Sequence, residues 1–310
     1  MKTIYFIAEI DDETGKGHYS RMISLFNNLN YEKKFLYVKT NSKNYSFNEK
    51  IKLYNKNFFN EINKNDLVFI DSLNLNDISN DIFLPERVVL LLDNDFDLKS
   101  IKFKALVLPI NYKVHLTNLN EATKIYEGKE LIILNGNLKD YRSYHANNNF
   151  KKVTLSLGGS SKFYQHITKI RSLIPSDEFD LTIVSKDRRI KGSIFYNKVE
   201  KYYELISKSD FLILSAGQSI YEALFLNKLI IPISLTDNQN KNLEDLKKRG
   251  LFKFNITAKK IFSTKHVIND FVTYYSNVDN QLDYINKSKV FLDLNGSKRI
   301  NAIVKKILND

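Results

Sequence analysis

The sequence predicts an α/β chain built from two doubly wound halves, and three observations predict it. Short β-rich runs alternate with helix-like stretches along most of the 310 residues. Those runs are continuously apolar rather than alternating, as strands covered on both faces of a parallel sheet are. The series then starts afresh at KKVTLSLGGSS (151–161), after the polar stretch DYRSYHANNNFKK (140–152). Two arrays suit a chain of this length, since domains usually hold roughly 100–200 residues.

In the first array, TIYFIAEI (3–10) reads as a strand and HYSRMISLFNNL (18–29) as a helix, with Met22, Ile23 and Phe26 at helical spacing. Strands follow at KFLYVK (34–39), DLVFID (66–71), RVVLLLD (87–93), KALVLP (104–109) and ELIILN (130–135). The second array continues from its opening strand with FDLTIVS (179–185), a helix over VEKYYELISKS (199–209) and a strand at DFLILSAG (210–217). Helix SIYEALFLN (219–227), strand KLIIPIS (228–234) and helix NKNLEDLKKRG (240–250) complete it, and two or three helices close the chain. The expected domains are therefore residues 1–145 and 150–310, each Rossmann-like. In such sheets ligands bind outside the carboxyl ends of the strands, so the loops after each strand carry the interest.

Composition narrows the chemistry. With no cysteine there is no disulfide, no thiolate nucleophile and no cysteine-based zinc site. The five histidines, at positions 18, 115, 145, 166 and 266, never form HxxxH or HExxH, so neither a metal nor another cofactor is expected. The 47 Lys and Arg against 35 Asp and Glu leave a net charge of +12, which favours an anionic partner. The surplus is scattered and no RNA-binding signature accompanies it, so nucleic acid is not expected. Apolar runs stay far below the ~20 residues of a membrane span, and the N-terminus has no signal-peptide pattern. The expectation is a cytoplasmic protein without an integral membrane segment, its basic balance compatible with peripheral membrane contact. Oligomeric state is not legible.

Three glycine-bearing loops lead into helices: ETGKGHYS (13–20), LGGSSKF (157–163) and SAGQSIYE (215–222). Glycine lets backbone N–H groups approach a ligand, and the following helix N-terminus offers partial positive charge to phosphate. The dinucleotide fingerprint GxGxxG and the phosphate-loop pattern GxxxxGK[ST] are both unmet. In SAGQSIYEAL, Ser219 and Glu222 fit two readings. They could form a capping box, with Ser219 at the N-cap and Glu222 at N3. Alternatively, Gly217, Gln218 and Ser219 meet a diphosphate while Glu222 accepts hydrogen bonds from a ribose.

Taken together and in order, GKGHYSR, LSLGGSS, LSAGQSIYEAL and LTDNQ resemble the UDP-sugar hydrolases of pseudaminic acid biosynthesis. These belong to the GT-B glycosyltransferase-like group, with two Rossmann-like domains facing an interdomain cleft. The likeness runs from the N-terminus to about residue 250. The family's first loop, G-x-G-H-x-x-R, is matched by Gly15, Gly17, His18 and Arg21. The resemblance implies removal of UDP from a UDP-linked 2,4-diacetamido-trideoxy sugar, with water attacking as His18 takes its proton. It implies that the N-terminal half faces the sugar, while Gly158, Gly159, Ser160, Gly217, Gln218, Ser219 and Glu222 hold the nucleotide. Asn238 and Gln239 would line the sugar or diphosphate side. Where the hydrolases carry Asp-x-Tyr, this chain has Asp71-Ser72-Leu73.

Simpler readings compete at several positions. His18 could merely begin a helix, and Arg21 could face solvent on its first turn. Asp71 and Asp93 end apolar strands and could be catalytic, although aspartates there often cap the next helix. Three functions follow: the hydrolase, a glycosyltransferase of the same architecture moving its sugar to a glycan or lipid hydroxyl, and a catalytically silent nucleotide-sugar- or RNA-binding module. Release of UDP without an acceptor separates the first from the second, and retention of His18 speaks against the third.

Overall fold

A computed structural model describes residues 2–10, 17–40, 49–55, 62–63, 65–71, 88–92, 95–97, 104–110, 112–118, 121, 123–144, 146–158, 161–196 and 198–309. The chain divides into two compact units, Met1–Asn135 with Leu294–Asp310, and Gly136–Asp293.

In the first unit, β1 (Ile4–Glu9) leads to α1 (Gly17–Asn28), then β2 (Lys34–Lys39), β3 (Ile51–Leu53), β4 (Leu67–Asp71) and β5 (Val88–Leu91). The short β6 (Phe96–Asp97) and β8 (Leu116–Thr117) pair with each other, while β7 (Ala105–Leu108) and β9 (Lys124–Glu127) extend the main sheet. That sheet is parallel throughout, in the order β3-β2-β1-β4-β5-β7-β9. Successive residues of β1 enter different cores. Ile4, Phe6 and Ala8 pack with Met22, Leu25 and Phe26 of α1, and Tyr5 and Ile7 pack with Val68, Ile70, Leu90 and Leu106. Both faces are thus covered, which is why the strand reads as an unbroken apolar run. Each large side chain so buried contributes about 1.5–3 kcal/mol.

The second unit holds β10 (Lys152–Ser156), α2 (Tyr164–Leu173), β11 (Asp180–Val184), α3 (Val199–Ser207) and β12 (Phe211–Ser215). It continues with α4 (Gln218–Phe225), β13 (Leu229–Ser234), α5 (Asp237–Lys248), β14 (Ile256–Thr257), α6 (Thr264–Tyr275) and α7 (Val278–Phe291). Its parallel sheet runs β11-β10-β12-β13-β14.

The short strands β3, β6, β8 and β14 are not expected from the sequence, and three further features depart from that reading. ELIILN is not a strand: Lys129–Leu131 form a 3-10 turn, and Leu131 and Ile133 are apolar because they join the first unit's core. The strand at that edge is β9, whose KIYE is mostly exposed and carries no apolar run. The last helix, α8 (Gly296–Asn309), belongs to the first unit, where Ile300, Val304, Ile307 and Leu308 bury themselves beside α1. Gly296 is required there, since a Cβ at that position would stand 2.0 Å from the Ile132 carbonyl oxygen.

Candidate functional site

In both sheets the direction of strand progression reverses between two parallel neighbours, β1 and β4 in the first unit, β10 and β12 in the second. Ligands of doubly wound sheets gather outside the carboxyl ends at such reversals. Chemistry-bearing residues stand at both.

In the first unit, α1 starts at Gly17, so His18 lies in its first turn and Arg21 three residues on, on the same face. Asp71 is the last residue of β4 and pairs in register with Ala8 of β1. All three are buried, His18 at 7% exposure, Arg21 at 5% and Asp71 at 0%. His18 Nδ1 hydrogen-bonds Asp71 Oδ1. Arg21 grips the same carboxylate with two donors, Nε to Oδ2 and Nη2 to Oδ1, both at 3.0 Å. A buried carboxylate is tolerated only when paired and hydrogen-bonded, and here the guanidinium does both. An ionised carboxylate accepts and never donates, so Nδ1 carries the proton and Nε2 is the basic ring nitrogen. Arg21 Nη2, 2.9 Å from Nδ1, abuts the ring edge as it reaches Asp71. The cluster is an imidazole fixed in one tautomer by a carboxylate that a cation holds in place, the arrangement of a general base.

In the second unit, four strands end in or just before buried serines: Ser185 after β11, then Ser156, Ser215 and Ser234 at the ends of β10, β12 and β13. Ser234 Oγ is buried without a hydrogen-bond partner, and Tyr202 Oη approaches the Ser156 hydroxyl without closing a bond. Buried polar atoms left open this way are ones a ligand can satisfy. Gly158 follows β10 with φ +88°, in the left-handed region, and a Cβ there would meet Ser215 Oγ at 3.8 Å. Gly217 precedes α4 and borders open space. Asn242, 4% exposed, donates to the Ala216 carbonyl at 2.8 Å and accepts from the Tyr221 hydroxyl, which holds this turn in place.

At α4 the capping-box reading fails. Gly217 is its N-cap and no side chain caps it, so Ser219 and Glu222 lie inside the helix and form no capping box. Glu222 is partly buried, and its Oε1 accepts a hydrogen bond from Tyr203 of α3 at 3.0 Å. Burial pushes its carboxyl up to about 7, against the pull of that bond. Asn238 and Gln239 occupy the first turn of α5, where Asn238 Oδ1 accepts from the Gln239 amide and Gln239 Oε1 from the Leu235 amide, each at 2.9 Å. Those acceptors close the turn locally. Gly15, Gly159, Ser160, Leu73 and Asp93 lie outside the described residues.

His18, Gly17 and Arg21 come together as one group, and Gly158, Gly217, Gln218, Ser219 and Glu222 sit along the β10–β12 reversal of the other unit. Two participants have little sequence signal, Asp71 and Tyr203. A cavity of about 470 Å³ at the opposite, amino-terminal edge of the second sheet is lined by Asp210, Lys228 and Gln281. There burial lowers the Lys228 ammonium to about 8 while Asp210 opposes the shift, and Nζ donates to the Ser207 carbonyl at 2.9 Å. Among the described residues, no three acidic, histidine or cysteine side chains group to hold a metal ion, and no helix is long and apolar enough to cross a membrane.

Solved structures match this fold over nearly the whole chain. MurG of Acinetobacter baumannii has a TM-score of 0.58 and 12% identity, covering 99% of this chain and 100% of its own. CalG4, the calicheamicin glycosyltransferase, has a TM-score of 0.57 and 9% identity, covering 99% and 98%. The fold is GT-B. MnaA of S. aureus, solved with UDP, has a TM-score of 0.54 and 13% identity, covering 100% and 97%. No family model matches the chain, and no curated protein matches it in sequence.

Proposed function

We propose that this chain is a nucleotide-sugar-dependent glycosyltransferase in which His18 is the general base. The observation that carries the reading is the buried His18–Asp71–Arg21 cluster at the strand reversal of the first sheet. The Gly158 and Gly217 turns, the α4 N-terminus and Glu222 take the nucleoside diphosphate, with UDP as the first candidate. Two of the fold neighbours support that assignment, one being a glycosyltransferase and one solved with UDP.

The reaction is a single displacement. The acceptor oxygen forms a bond to the anomeric carbon as the bond from that carbon to the diphosphate oxygen breaks. The diphosphate leaves with the electron pair, and the acceptor proton passes to His18 Nε2. Helix-terminal and backbone N–H groups of the second unit stabilise the departing charge.

The second reading is the hydrolase, with water as acceptor. It is favoured by one specific observation, the likeness of GKGHYSR to the first loop of the pseudaminic acid pathway hydrolases. Incubation with UDP-N-acetylglucosamine and with a UDP-2,4-diacetamido-trideoxyhexose, with and without sugar or lipid acceptors, separates the two. UDP released only with an acceptor supports transfer, and UDP released in water alone supports hydrolysis. Binding without release under any condition overturns both and leaves a nucleotide-sugar-binding module.

A further inference from the structure

Glu222 is held by one neighbour that cannot itself reach a ligand. Tyr203 is 1% exposed, its ring packed against Tyr141 at 5.9 Å and Tyr202 at 6.1 Å, and its hydroxyl is 3.0 Å from Glu222 Oε1. We infer that Tyr203 is a positioning residue that fixes the Glu222 carboxylate for a sugar hydroxyl of the nucleotide and makes nucleotide-sugar affinity depend on pH. The inference rests on the assignment of the nucleotide to this face of the second unit.

The charge environment of Glu222 is simple. Among the described residues, the titratable groups whose ionisation couples to it are the two phenols of α3, Tyr202 and Tyr203. Of the strands beneath, β12 and β13 contribute only apolar residues and their terminal serines. From α7, which also packs on α4, the buried Tyr284 commits its hydroxyl to the Lys228 carbonyl at 2.9 Å. Burial and the Glu222 charge hold the Tyr203 phenol far above its ordinary value, so it remains a donor at every working pH. Among the described residues a cation packs on α4 at Arg142, whose guanidinium lies 4.5 Å from the Phe225 ring and donates to Asn227 at 3.4 Å, while burial raises the Glu222 carboxyl to about 7. A phenol aimed at one carboxylate oxygen favours the ionised form and leaves the second oxygen to accept from the ligand.

Binding of UDP-N-acetylglucosamine, measured by calorimetry from pH 5.5 to 9, tests this. Its diphosphate is esterified at both ends, so it has no proton of its own to lose in that range. In the wild type the affinity should fall as pH drops through the neutral range, approaching tenfold per unit on the acid side. Tyr203→Phe removes a bond that favours the charged form, so its profile should move to higher pH by about one unit, with affinity regained at pH 9. A defect of packing alone would lower affinity evenly and leave the midpoint in place. Glu222→Gln should bind weakly and show a flat profile. A flat wild-type profile, or a Tyr203→Phe midpoint equal to the wild type, overturns the inference while leaving the nucleotide assignment intact. No binding at any pH overturns the assignment and the inference with it.

Discussion

Asp71 accepts a hydrogen bond from His18 Nδ1 across the point where the first sheet reverses its strand order, although 53 residues separate them in the chain. Arg21 closes the group by donating twice to the same carboxylate. One buried carboxylate thereby does two things: it sets the imidazole tautomer and balances the charge of a buried guanidinium.

Asp71→Asn tests the first of these. The amide can offer an N–H to Nδ1, which moves the ring proton to Nε2 and removes the base. Turnover should fall by about 10²–10⁴-fold with UDP affinity retained. Steady-state kinetics beside calorimetry read both, and a variant with wild-type kcat rules out tautomer control by Asp71.

The second role is read through stability. Asp71→Ala leaves Arg21 buried without its carboxylate, and breaking such a pair costs about 3–5 kcal/mol. Denaturant unfolding at pH 7 measures it. A loss below about 1 kcal/mol would place the pair in the class of solvent-screened contacts and contradict its burial.

A base acting on the acceptor, with no covalent sugar intermediate, gives one inversion at the anomeric carbon. Proton NMR of the first-formed product should show the anomer opposite to the donor's. Retention would require a second displacement and a nucleophile other than His18.

Glu222 makes stability fall with rising pH. Its folded-state value of about 7 lies above the ordinary 4.5, so the folded form holds the proton more tightly. That contribution is complete below 4.5 and is lost as pH rises to about 7, a total of roughly 3 kcal/mol. Glu222→Gln removes the effect: it should stabilise the protein by up to roughly 3 kcal/mol at pH 8 and have little effect at pH 4.5. Equal changes at both pH values in chemical denaturation would show that Glu222 does not titrate in the neutral range.

Much of the fold was legible because both faces of the central strands are buried. β1 and β4 read as apolar runs since consecutive residues enter different cores, and β12 and β13 because every one of their residues is buried. The reading failed where burial and strand pairing separate. ELIILN is apolar because Leu131 and Ile133 join the α1 and α8 core, while β9 is a strand with little to bury. The site was legible at His18 and Arg21, whose spacing puts them on one helical face. Asp71 was visible only as a strand-end acid, because its partner depends on β4 lying beside β1, and strand order is not written in local sequence. Tyr203 was hidden for a related reason: KYYEL signals a buried helix face, and only the packing of α3 on α4 shows which phenol meets Glu222.

The most direct measurement compares wild type and His18→Ala for UDP release from a UDP-sugar, with UDP affinity determined on the same samples. A base role predicts that turnover falls by at least about 10²-fold while affinity stays within a factor of about two. Turnover equal to the wild type in a variant that still binds UDP would contradict it.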